Sequence, residues 1–187
     1  MSFKEKFKVF PTLKTERLTL RELSQEDVNA FQIINSDSDV LRFMAIEGQG
    51  MTIEETSKWI DTMNSRFYKH RSAFVWAIAL NNSDRAIGYI ECTNFVRSSM
   101  TDIAYYLSKD YWNQGIMSEA IKEVIKFGFN FVGFHRIQAT VAVENKASIR
   151  TLIKLGFTNE GVLRKYMLGK EFRDVAMLSI LSKDIDF

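Results

Sequence analysis

Tyr105-Tyr106-Leu107-Ser108-Lys109-Asp110-Tyr111-Trp112-Asn113-Gln114-Gly115-Ile116-Met117-Ser118-Glu119-Ala120 reads as a strand that runs into a polar loop and then opens a helix. The first turn of such a helix has unpaired backbone N–H groups and the positive end of the macrodipole. Gly115 lets the backbone approach a ligand closely, so the turn is a ready site for a phosphorylated group. The spacing matches neither the P-loop nor the dinucleotide-binding fingerprint. A glycine is common in any strand-to-helix loop, so its neighbours must decide the reading.

Downstream, Ala120, Ile121, Val124, Ile125, Gly128 and Phe131 recur with helical period, which predicts a helix from Gly115 to about Phe131. His135 to Val143 then alternates as a strand, with Ile137, Ala139, Val141 and Val143 on one face. Asn145 opens another helix, and Gly156 ends it at the position that favours positive φ. Gly161–Leu168 and Asp174–Leu181 flank Gly169-Lys170 and read as a closing hairpin.

Upstream, three β-rich runs, Phe74–Leu80, Ala86–Phe95 and Thr101–Leu107, are joined by short polar turns at 81–84 and 97–99 and read as an antiparallel meander. Before them, Thr52 with Glu55 forms a capping-box pattern, and Ile53, Ile60, Met63 and Phe67 follow at helical spacing to about Tyr68. Ser24 with Asp27 starts an earlier helix, after a strand over Thr15–Leu23. The expected order is β, α, α, β, β, β, α, β, α, β, β: a mixed α/β fold. No repeat or linker interrupts it, which predicts a single domain over 1–187 with an arm over 1–11.

The 187 residues carry 25 basic and 23 acidic side chains, well mixed, for a net charge of +2. That balance gives no electrostatic reason for a nucleic-acid partner. Lys69-His70-Arg71 reads as a solvated helix terminus. A single Cys excludes an internal disulfide, and with two His it makes no typical zinc site, so no metal is expected. No apolar run approaches the roughly 20 residues needed to span a bilayer, and the first residues lack a secretory pattern. A cytoplasmic protein with no membrane partner is expected.

Taken in order, Thr15-Glu16-Arg17-Leu18-Thr19-Leu20-Arg21, Ile87-Gly88, Asp102–Leu107, Trp112–Ala120, Asn145-Lys146-Ala147-Ser148, Leu155-Gly156-Phe157 and Glu160-Gly161 resemble the GNAT superfamily of acetyltransferases. The resemblance runs from about Phe10 to Lys183 and is specific to the branch that holds ribosomal-protein N-terminal acetyltransferases and related small-molecule enzymes. It implies a mostly antiparallel twisted sheet, flanked by helices, with a splayed central strand pair. It also implies acetyl-CoA as co-substrate and a primary amine as acceptor, either a protein N-terminus or a small molecule, with a homodimer possible by analogy.

The resemblance places the pantetheine arm against Tyr106 and Leu107. It gives the pyrophosphate to the turn of Trp112, Asn113, Gln114, Gly115, Ile116, Met117 and Ser118, with Asn145 near the pantetheine. Two positions depart from the wider pattern: Trp112 replaces a usual Arg or Gln, and Met117 replaces a Gly or Ala and could crowd the phosphates. The Tyr that many relatives use to protonate the leaving thiolate is matched here by Leu152. Ser148, one turn earlier on the same helical face, is the substitute candidate, although its hydroxyl could instead bond back to its own helix.

For the base, Glu91 lies on a strand expected to line the cleft, with a water chain as the open alternative. Cys92, His135, Trp59 and Trp76 read as structural, and Phe43 and Trp76 are also candidates for a pocket wall. A CoA-binding module without turnover is the competing reading from another class.

Overall fold

A computed structural model describes residues 7–44, 50–96, 99–168 and 171–185. Its strands are β1 (Leu13–Lys14), β2 (Leu18–Glu22), β3 (Phe74–Leu80), β4 (Ala86–Val96), β5 (Met100–Leu107), β6 (Arg136–Ala142), β7 (Thr158–Leu168) and β8 (Glu171–Leu181). They form one eight-stranded sheet in the order β1-β2-β3-β4-β5-β6-β8-β7. All neighbours are antiparallel except β5 and β6. The mixed, mostly antiparallel sheet expected from the sequence is the one found. The turn residues Arg97-Ser98 and Gly169-Lys170 lie outside the described residues.

Helices cover both faces. On one, α4 (Ile116–Phe127) and α5 (Lys146–Lys154) bury Ile116, Ala120, Ile121, Val124 and Leu152 in a core that also holds Phe74, Trp76 and Ile78 of β3. On the other, α1 (Val28–Ile34) and α3 (Ile53–Tyr68) pack Phe31, Ile34 and Ile60 against Val75, Ala77 and Tyr89. This double cover explains why β3 is almost wholly apolar instead of alternating. The described part of the arm, residues 7–11, is anchored more firmly than its position suggests. Phe7 and Phe10 are buried against Phe74, each burial contributing on the order of 2 kcal/mol.

Local signals set the ends of the helices. Thr52 and Glu55 exchange hydrogen bonds as a capping box at the start of α3, as expected. Ser24 and Asp27 do the same, but for a single 3-10 turn that precedes α1. A one-turn helix, α2 (Ser38–Leu41), was not expected, because four residues carry too little periodicity to read. The long helix predicted from Gly115 ends sooner as an α-helix: after Phe127 it widens into a π-turn over Gly128–Val132. A side chain at Gly128 would meet Ile137 and Phe134 at 3.0 and 3.2 Å, so the widened turn rides close on β6.

The feature that positions the site is the parting of β5 from β6. They pair only from Met100↔Arg136 to Asp102↔Gln138. Beyond that point β5 stays on β4, with Tyr105↔Ile90, Tyr106↔Tyr89 and Leu107↔Gly88, while β6 stays on β8. The vertex is pinned by side chains. Asp102 accepts from Gln138 and from Asn94, both at 2.6 Å, and Arg136 grips Glu160 of β7. The splayed strand pair implied by the resemblance is thus present, and one backbone edge of Tyr105–Leu107 faces a gap inside the sheet.

Candidate active site

A cavity of about 480 Å³ occupies the gap. Its walls are the free end of β5, the loop and first turn of α4, the face of α5, and Val40, Phe43 and Met44 from and after α2. Lys109 and Asp39 form an ion pair that ties the α4 loop to α2.

The loop has the conformation that anion binding needs. Asn113 and Gly115 have φ of 59° and 75°, on either side of Gln114, and alternating handedness gathers successive N–H groups on one concave side. Gly115 caps α4 with no side-chain hydrogen bond, which leaves the N–H groups of the first turn to a ligand. Space does not explain the glycine, since an added Cβ would meet only an Arg17 nitrogen at 3.6 Å. The positive φ does.

Two motifs a hundred residues apart hold this loop. Glu119, in the first turn of α4, accepts from the Thr15 hydroxyl at 2.5 Å, the Arg17 amide at 3.0 Å and the Arg17 guanidinium at 2.6 Å. Arg17 also donates to the Gln114 carbonyl at 3.0 Å. Trp112 is a strut, its indole N–H bonded to the Leu107 carbonyl at 2.8 Å. At the far side, a Cβ on Gly88 would lie 2.3 Å from the Tyr106 carbonyl, so only glycine lets β4 seat the end of β5.

Of the ten residues assigned to the cofactor from sequence, Tyr106, Leu107, Trp112, Asn113 and Gly115 line the cavity, as do Ile116, Met117, Ser118 and Asn145. Gln114 does not: its side chain folds back to the Asp110 carbonyl and its own carbonyl takes Arg17. Met117 also packs against the main core cluster. Asn145 caps α5 by accepting from the Ser148 amide at 3.1 Å.

The two catalytic candidates part company. Ser148 lines the cavity, and its hydroxyl meets the Tyr105 hydroxyl at 2.8 Å, with no bond back to its own helix among the described residues. Burial pushes the Tyr105 phenol up to about 12, with the Ser148 bond working against that rise. Glu91 is not in the cavity wall. It faces α3, where Arg66 donates to it at 2.6 Å, and burial raises its pKa above the ordinary carboxylate value while Arg66 opposes the shift. Of the pocket candidates Phe43 lines the cavity, whereas Trp76 is fully buried and donates to the Pro11 carbonyl. Cys92 is buried in the core, and burial raises its thiol pKa. Leu152 is likewise fully buried, outside the cavity wall.

Sequence reasoning missed Tyr105. The strand alternation put it on a face, but nothing in the order of residues joins it to Ser148, 43 positions away.

A mixed sheet split between two strands, with an uncapped helix N-terminus at the mouth of the split, is the arrangement that the resemblance to acetyl-CoA-dependent transferases implies. Comparison with known proteins specifies it. The Acetyltransferase (GNAT) domain matches residues 17–158, and the chain belongs to the GNAT family of acetyltransferases. It is 34% identical to the uncharacterized N-acetyltransferase YoaA of Bacillus subtilis over 85% of this chain and 89% of that protein. The [Ribosomal protein uS5]-alanine N-acetyltransferase of Escherichia coli is 29% identical over 65% of this chain and 64% of that protein. A GNAT-family acetyltransferase from Bacillus anthracis superposes with a TM-score of 0.80 at 28% identity, over 92% and 99% of the two chains. The chain is an acetyl-CoA-dependent acetyltransferase. No helix among the described residues is long and apolar enough to cross a membrane.

Proposed function

We propose that this enzyme acetylates the N-terminal amine of a protein or peptide, with Ser148 supplying the proton that the departing sulfur needs. Bound acetyl-CoA supplies an activated acetyl thioester. The first turn of α4 and the Asn113–Gly115 loop would hold its pyrophosphate, and the free edge of Tyr105–Leu107 with Asn145 its pantetheine arm.

One observation carries the acceptor reading: among the described residues that line the cavity none is acidic, while Arg150 and Lys154 are basic. A polyamine or an aminated antibiotic would bring several positive charges into that wall with no acidic side chain among the described lining residues to meet them. Among the described residues the same wall offers no carboxylate as a base, and Glu91 is held by Arg66 outside it. The amine must therefore arrive largely neutral. At pH 7.5 an α-amine of pKa about 7.8 is roughly one-third neutral and a lysine about 0.1%, a gap on the order of 3 kcal/mol. The uS5-alanine acetyltransferase among the relatives supports the same class. In the balanced reaction a C–S bond breaks, a C–N bond forms, and one proton leaves the amine for water while one reaches sulfur. Ser148 donates at the sulfur and recovers a proton from water.

The reading extends to a single catalytic domain working in the cytosol, where Cys92 stays reduced. A small-molecule amine is the alternative acceptor, and the apolar Val40, Phe43 and Met44 wall favours a neutral one. The test is acetyl-CoA-dependent thiol release with peptides bearing free N-termini, lysine ε-amines, polyamines and aminated antibiotics. Turnover confined to the free N-termini supports the proposal; turnover confined to polycations overturns it. A melting temperature unmoved by saturating acetyl-CoA would remove the cofactor assignment itself.

A further inference from the structure

We infer that Tyr105 is a positioning residue for the transfer: it donates its hydrogen bond to Ser148 and so turns the Ser148 proton into the cavity. The inference rests on the proposed role of Ser148 and deepens it.

A serine hydroxyl on a helix ordinarily donates to the carbonyl one turn back, which would aim its proton away from any ligand. In α5 that bond is not made among the described residues; the partner of Ser148 is Tyr105. Either hydroxyl can donate at this distance, and their chemistry favours the tyrosine as donor. The phenol is the more acidic and the better donor, and its oxygen shares its lone pair with the ring, so the aliphatic oxygen is the better acceptor. With the Tyr105 proton directed at Ser148 Oγ, the serine proton cannot lie on the same line and must point elsewhere. Both side chains line the cavity, so elsewhere includes the ligand space. The Tyr105 phenol, pushed up to about 12 by burial, keeps its proton throughout the working range and so has one to donate. No proton leaves Tyr105 in this scheme: only the Ser148 O–H breaks as an S–H forms.

The fold supports such a role. Tyr105 sits on the last part of β5, held to β4 through the Tyr105↔Ile90 pairing, while Ser148 is fixed by the Asn145 cap. Two hydroxyls on separately anchored elements meet across the split, and the pair spans the two walls that hold the ligand.

The test is a double-mutant cycle on the acceptor that the wild type turns over, with kcat and KM for acetyl-CoA measured for Tyr105→Phe, Ser148→Ala and the pair. Tyr105→Phe is expected to lower kcat about tenfold with KM changed by less than about threefold, because an orienting bond is lost and the general acid stays. The double variant is expected to be no slower than Ser148→Ala, since Tyr105 acts only through Ser148. Losses that multiply would give Tyr105 an independent structural role and overturn the inference, as would wild-type kcat in Tyr105→Phe. Ser148→Ala at wild-type speed would instead remove the underlying role of Ser148, so the two failures are told apart.

Discussion

Tyr105–Ser148 and Arg66–Glu91 each join a helix to one of two paired central strands, β5 and β4, yet they are built for different ends. The first is a neutral pair at 2.8 Å in the wall of the cavity, between elements that the split holds apart. The second is a charged pair at 2.6 Å on the α3 face, with side chains only 28% and 14% exposed. A neutral hydroxyl pair costs little to desolvate and leaves one proton free to point at a ligand. A carboxylate spends its lone pairs on the guanidinium that makes its burial tolerable. Proximity to the cleft in sequence therefore misleads: a residue does chemistry only if its partner leaves it something to give.

Gly88→Ala should have the largest effect, because β4 and β5 mount both pairs. A Cβ 2.3 Å from the Tyr106 carbonyl forces the strands apart at Leu107. A stability loss of about 3 kcal/mol or more follows, or about 6–12 °C in a melting scan, with the acetyl-CoA thermal shift lost. An unchanged shift would mean that the strand edge does not hold the ligand. Ser148→Ala comes next and separates the two pairs. It should lower kcat about 100-fold, leave KM for acetyl-CoA within about threefold and leave the fold intact. A rise in KM alone would recast Ser148 as a binding group.

What could be read from the sequence follows the range of the interactions. The Thr52–Glu55 capping box, the end of α5 at Gly156 and the helix after Gly115 are local, and the structure keeps them. The split itself was implied by the order of short motifs, not by any one of them. The Thr15–Arg17 motif shows why: its partner is Glu119, in the first turn of α4, so two weak signals encode a single clamp. The hydrogen bonds of Glu91 and Tyr105 were not legible, since they join residues 25 and 43 positions apart whose meeting depends on the packing of α3 and on the splay. Trp112 was read as a departure from a phosphate-binding Arg or Gln. Its bond to the Leu107 carbonyl shows the loop braced against the strand end by a side chain that carries no charge.

The charged pair can be probed from either side, and the outcomes should be unequal. Arg66→Met leaves Glu91 buried and unpaired, which costs about 2–3 kcal/mol or about 4–12 °C. Glu91→Gln removes the buried charge and still accepts a hydrogen bond from Arg66, so its cost should be within about 1 kcal/mol. Because burial already raises the pKa of Glu91, its contribution is fully present at acidic pH and is lost as pH rises through the folded value. Removing Arg66 removes what opposes that rise, so the variant loses more than the wild type as Glu91 ionises and its deficit should widen from pH 5 to pH 8. Neither variant should change kcat by more than about threefold. A 100-fold loss in Glu91→Gln would restore Glu91 as the base, acting through water.

Arg136–Glu160 offers the smallest effect and the opposite sign. Arg136 donates twice to Glu160, at 2.7 and 2.5 Å, and Ser179 adds a third bond at 2.6 Å, which together lower the Glu160 pKa to about 2. A depressed carboxylate stabilises the fold above its unfolded value, and that stabilisation disappears as pH falls through the folded one. The Glu160 side chain is 39% exposed, so solvent screening holds the contribution to under about 1 kcal/mol. Glu160→Gln should lower the melting temperature by about 2–3 °C at pH 7, and the gap should close between pH 4.5 and pH 2. A gap that stayed constant down to pH 2 would mean that the pair contributes through packing alone. If both pH scans run as argued, two Arg–Glu pairs in one sheet respond to acid in opposite directions, with burial deciding which way each one goes.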